Sequence, residues 1–366
     1  MRRLFSRFLS AQKNTPVRYP EPRLKDLIFF VTDRCNMRCS HCMFWRRIDN
    51  PGPELTLEQI SALARSIPRL RTVALTGGEP FLRHDLWEMI ETFYLQNRTS
   101  HVQIDTNGSM PDRMLEILDR FADLQPGGYL TFQVSLDGLK ETHERLRRSP
   151  GSFDRAVTAL QACRERQDNT PCFRVVALTD IHRENVTEIE PLADLLSRLR
   201  IPHVYDFVRG VDYSTWGIPP EIRAEEDPRD CGLPPVEDLP DLVERIAAVD
   251  LREGGQFGQW MEQLRIQVDL YRGGKPPFPC LSAGRTAGVV YSDGSVAACE
   301  FTRPFAHLGD YRFDLNALWS GPEAAQRRKE IASCRCTHSC FLLTSHQEWL
   351  EQTGQVPAFE SVESSG

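Results

Sequence analysis

Three cysteines in one short segment are the residues best suited to chemistry in this sequence. Cys35, Cys39 and Cys42 lie in the segment VTDRCNMRCSHC, directly after the apolar run LIFFV. The C-x3-C-x2-C spacing provides three thiolates from one loop, which suits an iron–sulfur cluster with one iron left without a protein ligand. Such an iron can bind and reduce a small molecule.

A structural zinc site and a set of unliganded core thiols are the alternative interpretations of this loop. Structural zinc is normally held by four protein ligands, and the loop offers only His41 as a fourth. Because His41 is adjacent to Cys42, it is poorly placed to complete a tetrahedron. The spacing therefore favours a cluster.

A second motif, LTGGEP at residues 75–80, follows the cysteine loop about one βα unit later. Together the two motifs resemble the radical S-adenosylmethionine (SAM) superfamily. The resemblance implies that Cys35, Cys39 and Cys42 hold a 4Fe-4S cluster whose fourth iron is chelated by SAM. It also implies reductive cleavage of SAM to a 5′-deoxyadenosyl radical that abstracts hydrogen from a substrate, with flavodoxin or ferredoxin as a typical electron donor.

The resemblance also predicts which residues contact SAM. Gly77 and Gly78 lack a Cβ and would let the backbone approach a ligand, and Glu79 would accept a hydrogen bond from the SAM ammonium. Ser135 and Asp137 would bind ribose hydroxyls, and a solvated Glu79 or an ordinary Asp-Gly turn stay as alternatives. The full set of expected contacts is His41 (through its backbone, near adenine), Gly77, Gly78, Glu79, Thr106, Asn107, Ser135 and Asp137.

Strand-like and helix-like segments alternate after residue 25, which indicates parallel strands with helices outside. The predicted strands are Leu27–Val31, Thr72–Leu75, His101–Asp105, Tyr129–Ser135, Cys172–Leu178 and His203–Val208. Six such units predict an α/β fold, a partial (β/α)6 TIM-like barrel. The motifs fall at the carboxyl ends of the strands, where barrel enzymes carry their active sites.

A second group of cysteines lies in the C-terminal part, where Asp293-Gly294 predicts a hairpin. The pattern resembles the SPASM and twitch auxiliary-cluster modules, in which a first cysteine, a G-x4-C element and a later cysteine group bind extra 4Fe-4S clusters. The five cysteines in this region are Cys280, Cys299, Cys334, Cys336 and Cys340.

Five cysteines are enough for one fully ligated auxiliary 4Fe-4S cluster and too few for two. We expect Cys280, Cys299 and Cys340 to be ligands. Cys334 is preferred over Cys336 for the fourth place, on the expectation that one thiolate of this close C-x-C pair points away. A structural zinc site is the alternative here too.

The chain divides by composition into segments that predict a cysteine-rich auxiliary module after the barrel. Proline and acidic residues are frequent between 211 and 240, which is typical of a linker or a lid. The predicted parts are a basic N-terminal extension (1–24), the radical SAM barrel (25–210), a linker or lid with bridging helices (211–279), the auxiliary module (280–345) and a C-terminal tail (346–366).

Composition restricts the partners and the compartment. The chain has 366 residues and a formal net charge of −7, which opposes a nucleic-acid partner. No apolar run is long enough to span a bilayer, although the basic N-terminus permits weak contact with a membrane surface. Clustered cysteines without a secretory segment predict a reducing, cytoplasmic location.

The substrate is not specified by these motifs. Only 34 residues precede Cys35, too few for the leader-recognition domain that many peptide maturases carry, so a small or carrier-bound biosynthetic intermediate is the first hypothesis. A peptide maturase with a separate leader-recognition partner is the alternative, followed by a non-catalytic electron-transfer protein or a zinc-stabilised binding protein. Candidate substrate contacts are Arg174, Asp206, Arg209 and Glu300.

Overall fold

The computed structural model describes residues 18–225, 232–252, 258–276 and 278–353. Most of the predicted basic extension and of the C-terminal tail lies outside these ranges, so the expected membrane-surface contact of residues 1–17 has no structural counterpart here.

The strands in the described residues are β1 Asp26–Thr32, β2 Thr72–Gly77, β3 His101–Thr106, β4 Tyr129–Ser135, β5 Phe173–Ile181, β6 His203–Phe207, β7 Thr215–Trp216, β8 Ala287–Val290, β9 Ser295–Ala297, β10 Ala306–His307 and β11 Arg335–Cys336. Nine of them form one open sheet in the order β10-β9-β8-β1-β2-β3-β4-β5-β6, and β7 pairs with β11 in a separate two-stranded sheet. The six predicted barrel strands are present and pair in parallel.

The barrel helices connect successive strands on the outside of the sheet. The helices are α1 Trp45–Asp49, α2 Leu57–Ser66, α3 Leu86–Asn97, α4 Pro111–Leu124, α5 Lys140–Arg147, α6 Ser152–Gln167, α7 Ile189–Arg198, α8 Val211–Ser214, α9 Leu239–Arg252, α10 Gly258–Tyr271, α11 Leu315–Ser320, α12 Pro322–Glu330 and α13 Ser339–Thr353. In the described part of the chain no helix is both long and apolar enough to cross a bilayer.

The main core lies between the barrel sheet and these helices. Phe29 and Phe132 on the strands and Phe93 on α3 are among its fully buried side chains. Helix α2 begins with a capping box, in which Thr56 accepts from the Gln59 amide and the Gln59 side chain accepts from the Thr56 amide. The apolar face of each helix thus fixes the strand ends that carry the motifs.

The auxiliary module is joined to the barrel through the sheet. Strand β8 pairs in parallel with β1, and the predicted hairpin is formed by β8 and β9 around Gly294, whose φ is +90°. The predicted linker contributes β7, which pairs with β11 beside the second cysteine group. This segment is therefore part of the module as well as a connection, and α9 and α10 pack against the β5–β6 end of the barrel.

Candidate functional site

A cavity of about 180 Å³ opens at the carboxyl ends of the parallel strands. The three cysteines of the first loop line it together, and none of them is in a disulfide. Six of the eight expected SAM contacts also line this cavity, namely His41, Gly77, Gly78, Thr106, Asn107 and Ser135. We call it the SAM cavity.

Gly77 and Gly78 pack against the backbone of the cysteine loop. A Cβ added at Gly77 would lie 2.3 Å from the Thr32 carbonyl oxygen, and one at Gly78 would lie 2.1 Å from the Arg34 carbonyl oxygen. The missing Cβ atoms therefore let the loops after β1 and β2 approach each other. We expected these glycines to make room for a ligand, whereas the contact seen here is with the backbone of another loop.

Glu79 lies behind the cavity wall and is 1% exposed. Its carboxylate accepts hydrogen bonds from Thr106 Oγ1 (2.7 Å), the Asn107 amide (2.8 Å) and the Phe81 amide (3.1 Å). Burial raises the pKa of Glu79, and these donors oppose the rise. Glu79 thus joins the loops after β2 and β3, and it does not face the cavity as the expected partner of the SAM ammonium.

Asp137 is also fully buried, and it is bonded to a cation that the sequence interpretation missed. Arg147 donates from Nε to its carboxylate (2.6 Å) and approaches Cys39 Sγ with Nη1 (3.8 Å). Although burial acts in the opposite direction, the charges of Arg147 and His41 hold the pKa of Asp137 down to about 2. His41 Nε2 lies 3.4 Å from the same carboxylate.

Arg147 therefore places a buried positive charge between a thiol and a carboxylate. It closes α5, four residues after His143 in the segment THERLR. A single arginine in a charged helix carries no spacing signal, which is why sequence reasoning did not find it.

Asn107 connects the loop after β3 to the cysteine loop. Its side-chain amide donates to Asn36 Oδ1 (2.8 Å), and its own oxygen accepts from the Ser109 amide (2.9 Å). Asn107 and Gly108 form a turn, in which Gly108 has a φ of +68°. Asn107 therefore both takes part in a turn and lines the cavity.

The wall of the SAM cavity also carries charges. Asp105, Asp180, Arg209 and Glu300 line it, and Arg209 lies 3.6 Å from Glu300. Burial raises the pKa of Asp105 to about 6, and burial together with the charge of Asp137 raises that of Asp180 to about 7.

Two of the four candidate substrate contacts thus lie in the cavity. Arg209 and Glu300 line it, whereas Arg174 is exposed elsewhere on β5. Asp206 is buried and accepts from Gln267 Nε2 (2.9 Å).

Four cysteines of the second group lie together. Cys299, Cys334 and Cys336 share a buried apolar cluster with Cys280 packed against it. A hydrogen bond with Cys334 and burial raise the pKa of Cys336, and the charges of Cys280 and Cys299 add to the rise. The expectation that one of Cys334 and Cys336 points away is wrong, because side chains two residues apart in extended chain lie on the same side and the two thiols are hydrogen-bonded.

Cys340 is not part of this apolar cluster, and its expected place among the ligands stays a prediction. It is in the first turn of α13 and is exposed. The charges of Arg209, Glu300 and Asp105 act on its thiol, and these three residues line the SAM cavity. Cys340 therefore lies near that cavity.

The sequence profile of the Radical SAM superfamily matches residues 29–196. These residues are a radical SAM domain. Two curated relatives are the Fe-coproporphyrin III synthase of Methanosarcina barkeri, 30% identical over 180 residues (49% of this chain, 42% of the relative), and the mycofactocin maturase MftC of Mycobacterium tuberculosis, 32% identical over 192 residues (51% and 46%). The chain thus spans less than half the length of either relative.

Solved structures share the fold over most of the chain. SuiB of Streptococcus suis bound to SAM has a TM-score of 0.58 at 14% identity, covering 89% of this chain and 71% of SuiB. The enzyme anSMEcpe with bound SAM has a TM-score of 0.60 at 14% identity, covering 90% and 97%. The fold likeness extends beyond the radical SAM domain into the C-terminal part.

The residues fit the groups that radical SAM domains bind. Three partly exposed thiols, none of them in a disulfide, open into one cavity, and the Arg147 guanidinium beside Cys39 offsets the negative charge of thiolate ligands. The second group supplies four thiols in an apolar cluster, and four thiolates are the usual ligand set of a 4Fe-4S cluster.

Proposed function

We propose that this chain is an enzyme that reductively cleaves SAM and uses the resulting 5′-deoxyadenosyl radical to oxidise or rearrange an organic substrate. The observation that carries this proposal is the convergence of the loops after β1 to β4. They bring Cys35, Cys39, Cys42, Gly77, Gly78, Thr106, Asn107 and Ser135 to one cavity. The cysteines of both groups form no disulfide, which favours a reducing compartment such as the cytoplasm.

The roles of the chain's own residues follow from their positions. When bound, the first cluster and SAM supply the radical chemistry, and the protein orients and shields it. Cys35, Cys39 and Cys42 hold the cluster, and Arg147 stabilises the thiolate of Cys39. Glu79 fixes the loops around the bound SAM, which keeps its reactive end directed at the substrate.

The second cysteine group supports an electron-accepting role for the auxiliary cluster. Cys280, Cys299, Cys334 and Cys336 provide four protein ligands, so no iron is left open for a substrate. A cluster of this kind supplies an electron acceptor, which suits a net oxidation more than direct substrate binding.

For the substrate, a small or carrier-bound intermediate is the first candidate. The Fe-coproporphyrin III synthase among the relatives supports it. A peptide is the second candidate, because MftC is a maturase and SuiB has been solved with its precursor peptide SuiA. Under this second candidate a separate partner recognises the leader.

The test is anaerobic reconstitution with iron and sulfide, followed by addition of SAM and dithionite. We expect about eight irons per chain and formation of 5′-deoxyadenosine. Bound zinc without SAM cleavage would refute the enzyme proposal. Incubation with flavodoxin in place of dithionite tests the electron donor.

A further inference from the structure

The SAM cavity is too small for all that an enzyme of this kind must hold. Its volume is about 180 Å³, and pockets that bind one drug-sized ligand have volumes of roughly 300–1,000 Å³. On the function proposed above, SAM occupies this cavity. The body of the substrate must therefore lie in a neighbouring space.

A second cavity of about 420 Å³ adjoins it. The two cavities share three wall residues, Met43, Phe44 and Glu300. The two cavities therefore lie on either side of the same three side chains. The volume lies within the usual range for an organic ligand.

The walls of the second cavity combine aromatic rings with guanidinium groups. Phe44, Trp45 and Tyr291 line it, and Arg46 stacks on Trp45 with 4.6 Å from guanidinium carbon to ring centre. Arg47 stacks on Tyr291 at 4.3 Å and is also paired with Asp33 and Asp293. Aromatic walls of this kind bury a planar or apolar body.

Two arginines on the wall can receive a negative group. Arg303 donates through Nε to the Arg223 carbonyl (3.0 Å), and within the described part of the chain no carboxylate pairs with its guanidinium. Arg46 is paired with Glu225 (3.0 Å), whose side chain is 68% exposed. Exposed pairs of this kind contribute little, so a ligand oxyanion can replace Glu225.

The one carboxylate on the shared wall does not oppose such a ligand. Glu300 is bonded to His338 and faces Arg209, so its charge is already compensated. Guanidinium groups bind carboxylate and phosphate oxygens in a bidentate manner.

We infer that the second cavity is the substrate subsite and that it binds a carboxylate or phosphate group through Arg46 and Arg303. The apolar part of the substrate lies against Phe44 and Trp45, and the reacting carbon passes Met43 into the SAM cavity. The substrate is thus an anionic compound with a planar or apolar body.

Calorimetric titration of the anaerobically reconstituted enzyme tests this inference. The probes are phenyl phosphate, benzoate and the neutral ring compound benzyl alcohol. We expect saturable binding of at least one anionic probe and none of benzyl alcohol. Stronger binding of phenyl phosphate indicates a phosphate-bearing substrate, and stronger binding of benzoate indicates a carboxylate.

Arg303→Gln and Arg46→Gln should each weaken anion binding roughly tenfold or more. Arg303→Lys should keep part of the affinity, because the charge is retained and only the bidentate geometry is lost. The matched control is Arg65→Gln, an exposed arginine on α2 bonded to Ser61, which should bind as the wild type does. Circular dichroism confirms folding of each variant.

The inference is overturned if neither anion binds the wild type, or if both arginine variants bind as tightly as Arg65→Gln. The same wild-type preparation is assayed for 5′-deoxyadenosine. Deoxyadenosine without anion binding overturns the subsite alone. Arginine-dependent anion binding without SAM cleavage refutes the proposed function and leaves the subsite in place.

Discussion

Replacing Cys336 and Cys340 one at a time distinguishes the ligand set of the structure from that expected from the sequence. Cys336 is 6% exposed within the group formed with Cys280, Cys299 and Cys334, whereas Cys340 is exposed and is not part of that cluster. Each 4Fe-4S cluster contributes four irons. We therefore expect Cys336→Ala to fall from about eight irons to about four per chain, and Cys340→Ala to retain about eight.

The assay is iron and sulfide analysis after anaerobic reconstitution, with visible absorbance as a second readout. Absorbance should fall by about half in Cys336→Ala, since one of two similar clusters is lost. The unfolding temperature should fall as well, because cluster binding contributes free energy to folding. Cys163→Ala, a buried thiol in the barrel core, is the control and should keep both clusters.

Two results would refute this reasoning. Iron loss in Cys340→Ala with retention in Cys336→Ala would restore the ligand set expected from the sequence. Iron loss in both variants would mean that Cys340 moves into the auxiliary site when the cluster assembles. Activity cannot replace the iron count in this test. Cys340 lies near the cavity, so its loss can affect turnover without any loss of iron.

Further predictions concern the barrel. Gly78→Ala should lose the first cluster and keep the auxiliary one, because its Cβ would meet the Arg34 carbonyl at 2.1 Å; iron counting measures this. Arg147→Met should lower the free energy of unfolding by roughly 3–5 kcal/mol, since it removes the guanidinium that pairs with the buried Asp137 carboxylate; urea unfolding gives the value, and a change below ~1 kcal/mol contradicts a buried ion pair. Burial lowers the pKa of His203 to about 3, below the value of about 6.5 in the unfolded chain. Its contribution to stability is therefore complete above about pH 6.5 and is lost as the pH falls toward 3. The difference in unfolding temperature between wild type and His203→Asn should shrink over that interval, and a constant difference would contradict it.

The sequence was sufficient for the barrel because its signals are local. Apolar strands such as Leu27–Val31 and motifs at their carboxyl ends report their own position, and parallel pairing brings those ends to one edge. The three-cysteine loop and the double glycine therefore meet as expected. Only the role of Gly77 and Gly78 differs from the expectation, because the backbone atoms that they approach belong to the cysteine loop.

The side-chain directions could not be predicted in the same way. Glu79 and Asp137 belong to motifs at the cavity edge, yet both carboxylates turn inward to buried donors. The position of Cys336 depends on pairing of β11 with β7, which comes from the predicted linker. A motif defined by sequence spacing cannot predict a strand partner that lies more than a hundred residues away.

The residues that border both cavities are neighbours in sequence of cysteines from the two cysteine groups. Met43 and Phe44 directly follow the ligand Cys42, and Glu300 directly follows Cys299. These are the three residues shared by both cavities. Because these residues lie next to cysteines of both groups, we propose that assembly of both clusters positions the three side chains that border the substrate subsite. Neither cysteine motif reveals this coupling alone.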